Sequence, residues 1–582
     1  AGMPRLVAGL AIPSTLGLIF FVSRQVEMSV YVLNIATMLG LALAIDYSLF
    51  IVSRFREELA RGRTVEVAVE RAVATSGKAV VFSGIAVAIG LSGLLFFRAS
   101  ALSSIGIAGS LVVLSSVFYG LTFLPALLGM LGPRVNALSL NRLLRRLRAR
   151  AFGQTATTTH GHSRWESVAR RVMARPIAVL VPTLLFLLAA GAPFLRLEQG
   201  IPDASTLPPG LESRDALVAI QKEFPIGETT PIIVLAETQG DPRAHDTAIA
   251  LARYAETLRA LEGIERVESA FSLRDPATGR YLAPGEVATL WAIPEAQRPP
   301  QLAPVLAALE KQYIAGSTVR FDAISPFESA KPEATDMIPL VRALDPGPGI
   351  TVTVGGAAAM GHDFLAGQNE RLPFAVGMTL LASAVALFLL FGSLVLPIKA
   401  VIMTLLSISA SFGALVWIFQ EGNLSGLLDF QPLGYTLAGN PIIMFSVLFG
   451  LSMDYEVLLL SRVQEAYRRT GDNTASVAEG LARTAGVITG AALIMVAVFA
   501  AFALAQTITI KSIGVGMAIA VAIDATIIRV LVVPATMRLL GRWNWWAPGP
   551  LKRLADRLGF DHVETEDDLP GPAVGTAPMS AG

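Results

Sequence analysis

Ten windows of about twenty residues, each carrying few charges, constrain this chain more than any other feature. A helix of that length, rising 1.5 Å per residue, crosses a hydrocarbon core of about 30 Å. The windows fall near 5–23, 28–52, 75–97, 102–131 and 176–195, then near 373–396, 399–419, 440–461, 484–505 and 511–540. Of the 582 residues 53% are hydrophobic and only 16% charged, against about 25% charged in a soluble domain. Those proportions exclude a disordered chain and argue against a single soluble enzyme. The chain reads as a polytopic α-helical membrane protein.

The loops orient the windows. Arg54, Arg56, Arg61, Arg63, Arg71 and Lys78 lie between the second and third, and Arg134, Arg142, Arg145, Arg146, Arg148 and Arg150 follow the fourth. Arg462, Arg468 and Arg469 follow the eighth, and Arg538, Arg542, Lys552 and Arg553 come at the end of the last. Alternate loops are poor in Lys and Arg: Arg98 stands nearly alone, and 420–439 has Glu421 and Asp429 with no base. The positive-inside bias therefore puts the basic loops and the C-terminus in the cytoplasm, and 196–371 on the far side of a plasma membrane.

That far-side segment mixes strand-like runs at 231–236, 265–272, 318–323 and 350–354 with helix-like stretches at 243–261, 302–313 and 329–344. The alternation predicts one compact extracytoplasmic α/β domain inserted between two spans.

A duplication organises the rest. Asp46-Tyr47 is followed seven residues later by Ser53-Arg54, and Asp454-Tyr455 at the same interval by Ser461-Arg462. Thr75-Ser76-Gly77 matches Thr484-Ala485-Gly486, Ser104-Ile105-Gly106 matches Ser512-Ile513-Gly514, and Leu124-Pro125-Ala126 matches Val533-Pro534-Ala535. The offset stays at 408 or 409 residues, and both Asp residues lie on spans running the same way, as in parallel repeats about an axis along the membrane normal. Pro4 aligns with Pro397. Ahead of that point the second copy has a span, the α/β domain and another span that the first copy lacks, so roughly 230–245 preceding residues are expected.

The expected division is a first-repeat bundle over 1–131, a basic cytoplasmic linker over 132–175, a span over 176–195 and the α/β domain over 196–371. A second-repeat bundle follows over 372–542, then a cytoplasmic tail over 543–582, disordered after about Gly559.

Asp46 and Asp454 sit inside apolar runs, eight residues before an Arg, hence about 12 Å from the cytoplasmic edge. An intramembrane carboxyl costs at least about 2.5 kcal/mol and marks ion or proton pathways by default. Neighbours on a helix point about 100° apart, so Asp46 cannot face Tyr47. About a pseudo-two-fold axis Asp46 can meet Tyr455 and Asp454 can meet Tyr47, and a phenol bonds a carboxyl in either protonation state. The bland alternative is a structural polar clamp between two spans.

Asp524 and Arg529 form a further pair candidate without first-repeat counterparts, either a structural ion pair or a coupling element. Ser83, on a span expected beside Asp46, is a candidate hydrogen-bond donor to it or a small packing residue. Other signals are weaker. His160 and His162 lie in the linker, and Gly355-Gly356 opens no dinucleotide fingerprint. His362 and Asp363 read as a connector. A phosphate-binding Gly-rich loop is absent, which argues against ATP as energy source. The net charge of +1 offers no basic field to nucleic acid, and the absence of cysteine removes disulfides and thiolate metal sites.

These residues together resemble the MMPL family of the RND transporter superfamily. The match rests on the run Ala44-Ile45-Asp46-Tyr47-Ser48-Leu49-Phe50-Ile51-Val52-Ser53-Arg54-Phe55-Arg56-Glu57-Glu58, on Asp454-Tyr455, and on Ile523-Asp524-Ala525-Thr526 with Arg529. Gly355-Gly356 entering a span and Trp543-Asn544-Trp545-Trp546 after the last one add to it. The resemblance implies an RND-like duplicated bundle of twelve spans, of which the first repeat here carries the third to sixth, and two porter-like domains, of which one is here. It further implies export of lipids or other hydrophobic molecules, driven by the proton gradient with no bound cofactor or metal. In that reading Asp46, Tyr47, Asp454 and Tyr455 form the proton relay, with support from Ser83, Asp524 and Arg529. Membrane lipids and accessory membrane proteins are the expected partners, and nucleic acid is not. Competing readings are a non-transporting sensor or scaffold with the same core, and a membrane enzyme acting in the α/β domain.

Overall fold

The computed structural model describes residues 2–97, 101–136, 164–224 and 226–557. Most of the linker and the end of the tail, with His160 and His162, lie outside the described residues.

Ten helices among those described are long and apolar enough to span a membrane. They are α1 (Met3–Ser23), α2 (Tyr31–Ala60), α3 (Val65–Phe96), α4 (Ala101–Val135), α5 (Pro176–Arg196), α6 (Ala357–Phe391), α7 (Val395–Gln420), α8 (Gly439–Thr470), α9 (Asn473–Leu504) and α10 (Ile508–Trp545). Two of them form the centre. The apolar windows of α2 and α8 are 78% and 94% buried, against 11–61% for the others. These are the matching helices of the two repeats, and they carry the two Asp-Tyr pairs.

Close backbone contact sets how the repeats meet. A Cβ on Gly90 of α3 would fall 2.5 Å from the Ser446 carbonyl oxygen of α8, and one on Gly450 of α8 would fall 2.7 Å from the Val87 Cα. With no hydrophobic drive between helices in lipid, such small-residue seams supply the packing. Gly450→Ala is therefore expected to part α3 from α8 and cost about 1–3 kcal/mol. Gly490→Ala, where nothing lies within 4 Å, serves as the control and leaves Tm unchanged or slightly higher. Thermal unfolding of the two variants checks this.

Hydropathy windows miss two features of the helices. α3 begins at Val65, ten residues before its apolar window, because Thr64 caps it with its side chain on Val67 N–H. Within α10 the ladder widens to a π-helix over Asp524–Val532. Its hydrogen bonds run i→i+5, so residues five apart, such as Asp524 and Arg529, share one side.

Between α5 and α6 lies the α/β domain. Its antiparallel sheet has the order β3 (Arg266–Glu268), β5 (Thr318–Ile324), β2 (Ile232–Thr238), β6 (Ile350–Gly355), with β4 (Ile314–Ala315) also on β5. Ile232, Val234 and Ala236 alternate inward from β2 and meet the helices His245–Arg259, Pro284–Ala292 and Ala303–Tyr313 in one apolar core. The run expected as one helix over 329–344 is split into Pro332–Thr335 and Met337–Arg342. Pro339 has no N–H to offer the Thr335 carbonyl, so the helix cannot run on unbroken. In the core, Tyr254 stacks edge-on against Phe321 at 5.6 Å, and its buried hydroxyl has no partner. Tyr254→Phe should hold or raise Tm, because it removes an unpaired buried polar group.

A short parallel ladder joins the domain to the bundle: β1 (Gln199–Gly200) pairs with β7 (Thr436–Leu437), just ahead of α8. Gln420 at the end of α7 reinforces the joint, donating to the Arg196 carbonyl at 2.7 Å and accepting from Glu198 N–H at 3.1 Å. Arg196 also pairs with Glu421 at 2.8 Å.

Candidate functional site

Asp46 and Asp454, 1% and 4% exposed, lie on the two most buried helices, α2 and α8, whose side chains approach at Phe50 and Tyr455 and around a cavity shared by Tyr47 and Asp454. Each lies within electrostatic reach of the other and of Arg529. The adjacent tyrosines, also buried, point elsewhere, as the helical angle between neighbours requires.

Their partners come from the opposite repeat, but unequally. Asp46 lies beside the Tyr455 side chain, with no hydrogen bond between them. On the other limb Ser83 stands beside both Tyr47 and Asp454, and these three line one small cavity with Phe50, Ala79 and Val80. Ser83 thus lies beside Asp454, whereas the sequence placed it as a candidate donor to Asp46. The cause is the glycine seam: Ser83 lies seven residues before Gly90 and Asp454 four after Gly450, so both extend the face along which α3 and α8 touch. Both Asp46 oxygens, the Tyr47 hydroxyl, Ser83 Oγ and one Asp454 oxygen have no hydrogen-bond partner. Buried polar groups left open in this way are costly in a packed bundle.

A second cluster adjoins the first. Arg529 Nη2 donates to Asp524 at 2.7 Å and to the Ser452 carbonyl at 3.2 Å, and Ser452 Oγ donates to Asp524 at 3.0 Å. The Arg529 guanidinium also lies over the Tyr455 ring, 4.5 Å from its centroid, while the Tyr455 hydroxyl donates to Met495 Sδ at 2.7 Å. The π-helical turn makes this possible by bringing Asp524 and Arg529 to one side of α10. Tyr455 therefore touches both clusters.

Sequence reasoning missed a third charge pair. Lys399 on α7 and Glu456 on α8 are both buried and lie 3.5 Å apart. The signal was available, since each is a charge inside an apolar window and Glu456 directly follows Tyr455. Near the end of α2, fully buried Glu58 gathers Arg54, Arg61 and Arg63 at 3.0, 3.2 and 2.8 Å. The sequence reading used Arg61 and Arg63 only for orientation. Asp363 pairs with Arg342 at 2.6 Å and ties α6 to the domain as a connector. Among the described residues no group of three or more His, Asp or Glu gathers as a metal site.

The sequence profile of the MMPL family matches residues 1–179 and 205–565. A putative membrane protein of Streptomyces coelicolor, SCO6666, is 36% identical over 98% of this chain and 70% of its own length. The trehalose monomycolate exporter MmpL3 of Mycobacterium tuberculosis is 32% identical over 98% of this chain and 59% of its own. For the mycolic acid-containing lipids exporter MmpL11 of Mycolicibacterium smegmatis the figures are 31%, 96% and 54%. The chain thus spans little more than half the length of these mycobacterial relatives. A crystal structure of SecDF in a super-membrane-facing form aligns with TM-score 0.48 at 15% identity, covering 95% of this chain and 59% of that one. With ten apolar helices, the duplicated Asp-Tyr helices and a family match along nearly its whole length, the chain is a multi-pass membrane protein of the MMPL family in the RND superfamily.

Proposed function

We propose that this chain forms the core of a plasma-membrane exporter of lipids or other hydrophobic molecules, driven by the proton gradient. One observation carries the reading: two buried carboxyls at matching positions of parallel repeats lie within electrostatic reach of each other, each beside groups from the opposite repeat. Two anions in mutual reach at low dielectric repel strongly, and protonating either one relieves the repulsion. Arg529, held by Asp524 and stacked on Tyr455, counters the remaining charge.

Each protonation would thus change the force between α2 and α8, along with the α3 seam packed on α8. Movement of α8 passes to the α/β domain through β7 and β1, and movement of α7 passes through Gln420 to Arg196 and Glu198. In this scheme Asp46, Tyr47, Asp454 and Tyr455 move the proton, Ser83 bridges one limb, and Asp524 with Arg529 sets the field. The relatives named as lipid exporters support the cargo class. The charge pattern of the loops supports a cytoplasmic C-terminus.

The test is reconstitution of the full-length protein into vesicles with a fluorescent lipid. Transfer of lipid out of the membrane should rise with an imposed ΔpH and stop when a protonophore collapses it. Flux that ignores ΔpH would remove proton coupling. No flux at all would favour the non-transporting sensor or scaffold.

A further inference from the structure

The two repeats differ in how their matching helices are joined at the domain-bearing end. Residues 24–30 link α1 to α2, whereas 421–438 link α7 to α8 and run eleven residues longer. The offset of 408 that pairs the repeats puts Ser103 where the second has Lys511, near the start of α10. The longer link and the lysine that holds it thus both belong to the second repeat alone.

Lys511 is 4% exposed, and its ammonium donates to the Leu428 and Asp429 carbonyls at 2.5 and 2.7 Å. Those two are its only partners among the described residues. They end a single helical turn, Ser425–Leu428, whose flanking residues Leu424 and Asp429 both stand at positive φ, +64° and +51°. A left-handed residue other than glycine costs about 1–2 kcal/mol and persists where its surroundings hold it. The ammonium is such a hold, because it meets carbonyls that the turn leaves open at its negative end.

The other side of the link is fastened to the α/β domain. Arg214, 6% exposed on the helix Glu212–Glu223, donates to Gln431 Oε1, and the Tyr435 hydroxyl donates to the Ile201 carbonyl at 3.2 Å. Lys511 itself lies thirteen residues before Asp524, about 20 Å along the regular helix Ile508–Ile523 that leads into the π-helical turn. Residues 421–438 therefore form a strap, with one clasp on α10 and another on the domain.

We propose that Lys511 is a positioning residue that hands displacement of α10 to the α/β domain through this strap. The inference rests on the exporter reading for what the displacement accomplishes, and adds a route to those through β7 and Gln420. A change of field at Asp524 and Arg529 moves one end of a rigid helix, and the ammonium near its other end carries the strap along. Backbone carbonyls do not titrate, so this clasp holds in either state of the relay.

Nitroxides at Val218→Cys on the domain and Leu504→Cys at the end of α9, both exposed positions, report the distance from domain to bundle by double electron–electron resonance. This stretch has no cysteine of its own, so the labels sit only there once any others in the full-length protein are replaced. Asp46→Asn with Asp454→Asn stands for the protonated relay, and the distance should shift between it and the parent in nanodiscs. Lys511→Met should abolish the shift, and Lys511→Arg, which can also donate to two carbonyls, should restore it. In vesicles Lys511→Met should cut ΔpH-driven lipid flux about tenfold at saturating lipid, with the half-saturating lipid fraction and the carboxyl titration of Asp46 and Asp454 unchanged. Arg214→Met opens the domain-side clasp without touching the buried lysine, and so tests the strap even if Lys511→Met does not fold. It should give the same loss, and the two together no greater loss, because both interrupt one path. A distance that does not shift with the relay, a shift that survives both variants, or losses that multiply in the double variant would each overturn the proposal. So would a carboxyl titration moved by Lys511→Met, which would place the lysine in the relay's own field. Flux under ΔpH that neither variant lowers sinks the strap alone. A shift that depends on Lys511 in a protein without flux sinks the exporter reading and leaves the strap standing.

Discussion

Asp46→Asn and Asp454→Asn are each expected to bring ΔpH-driven lipid export down to the level of protein-free vesicles. The amide keeps the shape of the carboxyl but cannot take up or release a proton, so the charge change on which the proposed coupling depends is gone. Neither variant should unfold. Neutralising a carboxyl that is buried with open oxygens removes a desolvation cost, and the free energy of unfolding should stay within about 1 kcal/mol of the parent or rise. Normal export by both variants would end the relay reading. The two limbs are separable as well. Tyr455→Phe should disturb the infrared carboxyl titration of Asp46 more than that of Asp454, and Ser83→Ala should do the reverse, since each lies beside a different carboxyl. The opposite order in either variant would contradict the partnering described above.

Lys399→Met is expected to be the most destabilising single change near the site. It leaves Glu456, buried within α8, without its ion-pair partner, a loss of about 3–5 kcal/mol that should show as poor yield and a large drop in Tm. Lys399→Met combined with Glu456→Leu removes both charges at similar volume, and should restore stability to neutral or about 1–4 kcal/mol above the parent. Thermal unfolding of the single and double variants reads this directly, and a double variant no more stable than the single would show that the pair is not an isolated ion pair. Flux through the stable double variant then separates roles. Retained export assigns Lys399 and Glu456 to packing, whereas lost export places them in the electrostatic field of Tyr455 and Arg529.

Much of the architecture was legible one segment at a time. Hydrocarbon thickness dictates span length, so ten windows near twenty residues announced ten spanning helices. A constant offset paired Asp46 with Asp454, and alternation along Ile232, Val234 and Ala236 announced a strand. Each of these signals is local or is a comparison of the chain with itself.

Partnership across helices was not legible, because it depends on how far each helix is rotated and slid against its neighbour. The Gly90–Gly450 seam turns Ser83 toward Asp454 when sequence reasoning had it beside Asp46. The approach of α7 to α8 brings Lys399 to Glu456. Hydropathy and repetition are written residue by residue and so survive in the bare chain. Contacts are decided by fractions of a helical turn, and those are set by backbone approach in the folded bundle.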